Sequence, residues 1–171
     1  MLRSDLNSTE YFQYYKTYID LVDDIPLIDV LQKGLKSTTD FFRSIPTEKQ
    51  EYRYRQGKWT PKDILLHLID TERVFVYRAL YFSRNPNSEI KGFDENVFAS
   101  NADANLRTIE NLLEEYESVR NATITFFENL KHSRFRQTGL ANNNILSVRA
   151  CGFIIGGHEM HHIRVIQERY L

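Results

Sequence analysis

Three of the chain's five histidines crowd the stretch Gly156-Gly157-His158-Glu159-Met160-His161-His162. His158 and His162 stand four residues apart, which on an α-helix is a rotation of about 40° and a rise of about 6 Å. Two imidazoles at that spacing lean toward one point and make half of a transition-metal site. Cys151, Ile154, Ile155, Val165 and Ile166 recur around them at helical spacing, so both histidines fall on the core-facing stripe of an amphipathic helix. A buried imidazole needs a partner for each ring nitrogen, and two protonated rings side by side repel. A divalent cation takes one nitrogen from each ring and keeps both neutral. The alternative for each is a core histidine satisfied by ordinary hydrogen bonds.

A metal needs a third ligand. His158-Glu159-Met160-His161-His162 fits the His-Glu-x-x-His pattern of zinc proteases, but those enzymes usually take their next ligand downstream. Residues 163–171 offer only Glu168 there, on the same short helical end, so the protease reading is set aside and Glu159 is expected to be a solvated helix residue. Upstream, His67 lies in Asp63-Ile64-Leu65-Leu66-His67-Leu68-Ile69-Asp70, a strongly hydrophobic helical segment, on a face with Ile64, Thr71 and Val74. A facing imidazole from this helix is the economical completion of the site. Three neutral histidines leave metal positions open, which suits Lewis-acid or water-activating chemistry, or anion binding, and not a closed structural site. His132 lies in the polar run Lys131-His132-Ser133-Arg134 and is expected at the surface. His161 is rotated toward the flank of its helix, either beside the site or exposed. Cys151 is two turns before His158, about 10 Å along the axis, and reads as a small buried core residue.

These side chains must be positioned by helices. Only seven glycines and four prolines punctuate the chain, which favours long helices over many short strands. Segment 9–23, with Tyr11, Phe12, Tyr14, Tyr15 and Tyr18, is expected to form a helical lead-in. Pro26 opens a helix whose stripe is Ile28, Leu31, Leu35, Thr38, Phe42 and Ile45. Segment 46–59 is a polar connection. Thr60-Pro61-Lys62-Asp63 combines an N-cap, a proline at the first helical position and an acid in the first turn, and starts a helix that carries His67 to about Ser83. Segment 84–102 is a long loop, the kind of place where active-site walls occur. A third long helix is expected from roughly Asp103 to Leu130, with a core face of Leu106, Ile109, Leu112, Leu113, Tyr116, Val119 and Phe127 and with Glu114, Glu115 and Glu117 solvated. Segment 131–146, with Asn142-Asn143-Asn144, is a connection, and Ser147 caps the last helix. A short hairpin within 50–58 or 84–93 is compatible with this layout. Four long amphipathic helices with two substantial crossovers predict an all-α four-helix bundle, one domain over residues 1–171.

Bulk properties narrow the function. With 42% hydrophobic and 26% charged residues, the chain reads as a globular domain. A net charge of −1 gives no field to hold a polyanion, so no nucleic-acid partner is expected. A single cysteine excludes an internal disulfide framework and fits a reducing, cytoplasmic setting. Residues 1–10 carry no apolar core and are not expected to be a signal peptide, and no apolar run is long enough to predict a membrane span.

Three pieces, taken together, resemble the DinB-like (DinB/YfiT-like) superfamily: Gly57-Lys58-Trp59-Thr60-Pro61-Lys62-Asp63-Ile64-Leu65-Leu66-His67-Leu68, the loop Gly92-Phe93-Asp94-Glu95-Asn96, and Gly157-His158-Glu159-Met160-His161-His162-Ile163. The likeness runs through nearly the whole chain in order and spacing. It implies a four-helix bundle of up-up-down-down type and one divalent transition metal, nickel or zinc, held by His67, His158 and His162, with no ligand position missing. Relatives of this kind include thiol-dependent S-transferases and isomerases that use a low-molecular-weight thiol, and others classed as metal-dependent hydrolases. The leading expectation is therefore a metal-dependent S-transferase that joins such a thiol to small electrophiles, with Phe93, Asp94 and Asn96 in the pocket wall. The alternatives are hydrolysis by metal-activated water, for which Glu159 or Asp94 are nominal bases, and a stress protein that binds metal or ligand without turnover. A homodimer is expected, and the aromatic lead-in is one candidate for its interface.

Overall fold

Three of the four long helices start where a side chain accepts from one of the first free N–H groups. A computed structural model describes residues 1–171. After three 3-10 turns, the chain forms a one-turn helix α1 (Lys16–Ile19) and the long helix α2 (Leu27–Ser44), which Pro26 precedes. Helix α3 (Pro61–Arg84) begins with a complete capping box. Asp63 N donates to Thr60 Oγ1 at 3.0 Å and Thr60 N to Asp63 Oδ2 at 2.9 Å. Then follow β1 (Glu89–Ile90), α4 (Glu95–Ser100), α5 (Ile109–Glu128), β2 (Thr138–Ala141), β3 (Asn144–Ser147) and α6 (Val148–Arg169), the last capped by Ser147.

Three local expectations are corrected. The lead-in over 9–23 is mostly 3-10 turns around the single turn of α1, not one helix. The third long helix starts later than Asp103: that residue has a positive φ of 51°, and Thr108 is the true cap, accepting from Asn111 N at 3.2 Å. Leu106, expected in the core, is left 86% exposed in the turn before α5. The hairpin is neither at 50–58 nor within 84–93 but at β2–β3, where Asn142 and Asn143 both have positive φ. Two successive left-handed residues match the twist of a two-residue hairpin, and asparagine tolerates that region. β1 adds to β2 in parallel, so segment 84–102 supplies a strand to this small sheet as well as α4.

The four long helices make a bundle in which α2 and α3 each pack on both α5 and α6 and lie diagonal to one another. Leu27 and Val30 face Gly152 and Gly156, so α2 and α6 are parallel. Asn105 bonds Asp63 just before Arg120 bonds Glu72, so α3 and α5 are parallel too. Arg43 meets Glu110 while Arg120 reaches the Leu31 carbonyl, which makes α2 and α5 antiparallel. In chain order the directions are up, down, down, up; taken round the bundle from α6 through α2, α5 and α3 they are up, up, down, down. No helix is long and apolar enough to cross a membrane.

The apolar core is in two clusters. One joins the lead-in, the sheet, the start of α2 and α6 and the ends of α3 and α5; the other joins the end of α2 and α6 to the starts of α3 and α5. At mid-bundle Glu72, Arg120 and Glu159 are buried, joined by the hydroxyl of Tyr116 from the second cluster.

Candidate metal centre

His67 sits two turns into α3, whose entry is fastened from three sides. Asp63 closes the capping box and accepts from Asn105 at 2.7 Å, and the Trp59 carbonyl accepts from the Tyr170 hydroxyl at 2.6 Å. The last contact ties the start of α3 to the end of α6 and sets the antiparallel register that brings His67 opposite His158 and His162. The structure brings these three together. His158 Nε2 lies 3.1 Å from His67 Nε2 and 3.1 Å from His162 Nε2, and ligand atoms of all three fall within 4.8 Å of one another.

Three convergent Nε2 atoms cannot satisfy each other as neutral rings. His158 Nε2 offers a single in-plane site, either one hydrogen to donate or one lone pair to accept with, so it serves one neighbouring ring and not both. A cation resolves this by accepting all three lone pairs. Nitrogen ligands about 2.0–2.1 Å from one ion are separated by roughly 3 Å, as His158 is from each of the other two. The set is all imidazole, which suits zinc, nickel, copper or iron and not magnesium or calcium. With Nε2 turned to an ion, Nδ1 carries the hydrogen. His67 Nδ1 has Thr71 Oγ1 at 3.4 Å, the kind of outer partner that fixes a tautomer, while His162 Nδ1 is buried without one.

Electrostatics point the same way. Burial pushes the His67 pKa down to about 4 and that of His162 down to about 3; His158, wholly enclosed beside the other rings, is also driven well below the usual range. All three stay neutral near pH 7, the form that ligates. Aromatic rings wall them in. Trp59 lies against His67 with centroids 4.7 Å apart, and Tyr18 of α1 meets His158 edge-on at 5.2 Å. Gly157 makes room for that contact: a Cβ there would strike the backbone carbonyl of Tyr18.

The cluster opens on a cleft of about 390 Å³ between α3, α6, the lead-in and the β1–α4 loop. Phe93 lines it, as expected, but Asp94 and Asn96 do not; Glu95 takes the place of the acid. Asp94 instead caps α4, accepting from Asn96 N and Val97 N. His161 is on the cleft wall, outside the cluster, and His132 is exposed. Cys151 is fully buried, its thiol pushed up to about 12, consistent with an inert core residue.

Glu159 is the main correction. It is 3% exposed, not solvated. Its carboxylate accepts from Tyr116 Oη and from Arg120 Nη2, each at 2.7 Å, and Arg120 also donates to both oxygens of Glu72 and to the Leu31 carbonyl. One guanidinium thereby ties α2, α3, α5 and α6 together directly behind the histidines. The sequence signal is helical spacing: Glu72 stands three or four residues from Leu68, Ile69 and Phe75, Arg120 four from Tyr116 and Ile124, and Glu159 four from Ile155 and Ile163, so each charge falls on an apolar stripe. The aromatic lead-in also does more than cover core. Tyr15 and Tyr18 line the cleft, and so does Arg78, which no sequence argument had singled out.

A family model described as the DinB superfamily matches residues 31–166. Among solved structures, YfiT from Bacillus subtilis, described as a probable metal-dependent hydrolase with an unusual four-helix bundle topology, superposes with a TM-score of 0.75 at 18% identity, covering 83% of this chain and 82% of that one. A search of curated proteins found no match.

Proposed function

The chain belongs to the DinB superfamily, and from that premise we propose that His67, His158 and His162 hold one divalent transition metal, nickel or zinc, in an enzyme that transfers a low-molecular-weight thiol to small electrophiles. The observation that carries this reading is the convergence of three neutral imidazoles at the wall of an open aromatic cleft. A metal bound there supplies Lewis acidity, lowering the pKa of a thiol or water that ligates it. The chain's own residues do the rest. Trp59 and Tyr18 fix the imidazole planes, and Thr71 Oγ1 accepts from His67 Nδ1. Hydrolysis is the second reading, favoured by the description of YfiT. It needs a general base within reach of the attacked atom. Neither nominal base supports it, because Glu159 is bound to Arg120 and Tyr116, and Asp94 caps α4. A thiol that ionises on the metal has less need of such a base, and this favours transfer. The same reading includes a cytoplasmic setting that keeps the thiol reduced, a small-molecule substrate with no nucleic-acid partner, and a homodimer of one-domain chains.

The test begins with elemental analysis. We expect about one nickel or zinc per chain, depleted by His67→Ala, His158→Ala or His162→Ala and kept by His132→Ala. Full occupancy in His67→Ala refutes the three-histidine site. Cobalt- or nickel-loaded protein is then mixed with small thiols. Thiolate-to-metal charge-transfer absorbance together with conjugation of an electrophile supports transfer; ester or amide turnover without a thiol response supports hydrolysis instead.

A further inference from the structure

Buried charges in this fold come with counter-ions. Arg120 has Glu72 and Glu159, Arg149 has Glu10, and Lys62 has Glu51. Arg78 is the exception. It is 4% exposed, no carboxylate pairs with it, and its Nε is sealed from solvent without a hydrogen-bond partner. It is close enough to the Tyr15 hydroxyl to offset part of the burial-driven rise in that pKa, but Tyr15 is neutral and cannot balance a cation. The guanidinium rests against two rings, 4.8 Å from the Phe75 centroid and 5.8 Å from that of Phe93. Stacking of this kind compensates only part of the desolvation of a cation. An enclosed, unpaired guanidinium on a cleft wall is therefore a site prepared for an anion.

Its place on α3 says where the rest of that anion lies. Arg78 follows His67 by eleven residues, within about 20° of the same helix face, and Thr71 and Phe75 between them line the same cleft. The two Cα atoms are separated by roughly 16 Å of helix; both side chains lean toward the N-terminus, and the longer reach of arginine leaves a gap on the order of 10–15 Å between the guanidinium and the histidines. We propose that Arg78 anchors the carboxylate of a small, partly apolar molecule whose other end lies at the histidine cluster. The location of that reacting end rests on the metal reading above; the anchor itself does not. A monoanion fits better than a phosphate dianion, because Arg78 is the only lysine or arginine lining the cleft and Glu95 shares the wall. The planar fork of arginine matches a carboxylate, and Phe75 and Phe93 cover the apolar body beside it.

The probe is 3-phenylpropionate against its amide, titrated calorimetrically into the full chain both stripped of metal by chelation and loaded with nickel. We expect the carboxylate to bind about tenfold or more tightly than the amide in both forms, and Arg78→Met to erase that ratio while leaving the amide's affinity unchanged. The wild-type ratio stands without the variant, so a misfolded variant does not rescue the idea. Equal binding of the two probes, or no binding of the carboxylate, overturns it. So does a preference confined to the nickel-loaded form, which would put the carboxylate on the metal, or one that survives in folded Arg78→Met. Failure of the metal reading is seen separately, as missing nickel by elemental analysis, and leaves the stripped-protein comparison intact.

Discussion

His67 and His162 are held neutral by burial, at pKa values of about 4 and about 3 against roughly 6.5 for a free imidazole. Both folded values are depressed, so the unfolded chain takes up protons first as pH falls. Above about 6.5 neither state is protonated and the pair adds no pH dependence. Between about 6.5 and about 4 each histidine removes on the order of 1.4 kcal/mol of stability per pH unit from the metal-free fold. Denaturant midpoints of metal-free protein should therefore drop steadily across that window, and His162→Leu should flatten the slope. Profiles that stay parallel would show that the imidazoles are not the cause. Protons compete with metal for the same nitrogens, so metal content should fall over the acid side of the same titration.

Among the elements, α6 does the most positioning and depends on its glycines to do it. Gly152 and Gly156 admit Leu27 and Val30 of α2, and Gly157 admits the backbone of Tyr18. Side chains can shift by a rotamer, whereas a backbone carbonyl moves only with its segment. Gly157→Ala is expected to lower stability by about 1–3 kcal/mol, more than Gly156→Ala, and to push α1 away from the histidines. Thermal melting gives the ranking, and a loss of metal affinity in Gly157→Ala but not in Gly156→Ala would report the displaced wall. If the two variants behave alike, the close approach of α1 is not what Gly157 provides. The entry of α3 is held differently, by the Thr60–Asp63 box and the Tyr170 hydroxyl on the Trp59 carbonyl, which places His67 without crowding it.

For the whole molecule, the polar layer of Glu72, Arg120, Glu159 and the Tyr116 hydroxyl crosses the bundle at its middle, and neither of the two apolar clusters requires the histidines. Removing metal should consequently leave the helical circular-dichroism signal largely intact while loosening the start of α3 and the end of α6. A collapse of helicity in step with metal loss would make the site structural and refute the proposed enzyme. Light scattering checks the homodimer: twice the chain mass is expected, and a single chain mass removes that part of the proposal.

The four amphipathic stripes, the Thr60 and Ser147 caps and the spacing of His158 and His162 were all legible along the chain, because each arises from residues within a few turns of one another. So was the membership that joins the His67 segment to the late histidines. The start of α5 was misplaced because Asp103 and Thr108 are both plausible caps, and a left-handed backbone at Asp103 settles between them. The β2–β3 hairpin was missed because its asparagines read equally well as loop. Glu159 and Arg78 show the deeper limit. A charge on a helix is solvated or buried according to what packs opposite it, and their surroundings come from α5, α2 and the loop bearing Phe93, residues far away in the chain. Periodicity reports which face of a helix is apolar; which charge that face encloses, and whether it finds a counter-ion, depends on contacts that form only when distant segments meet.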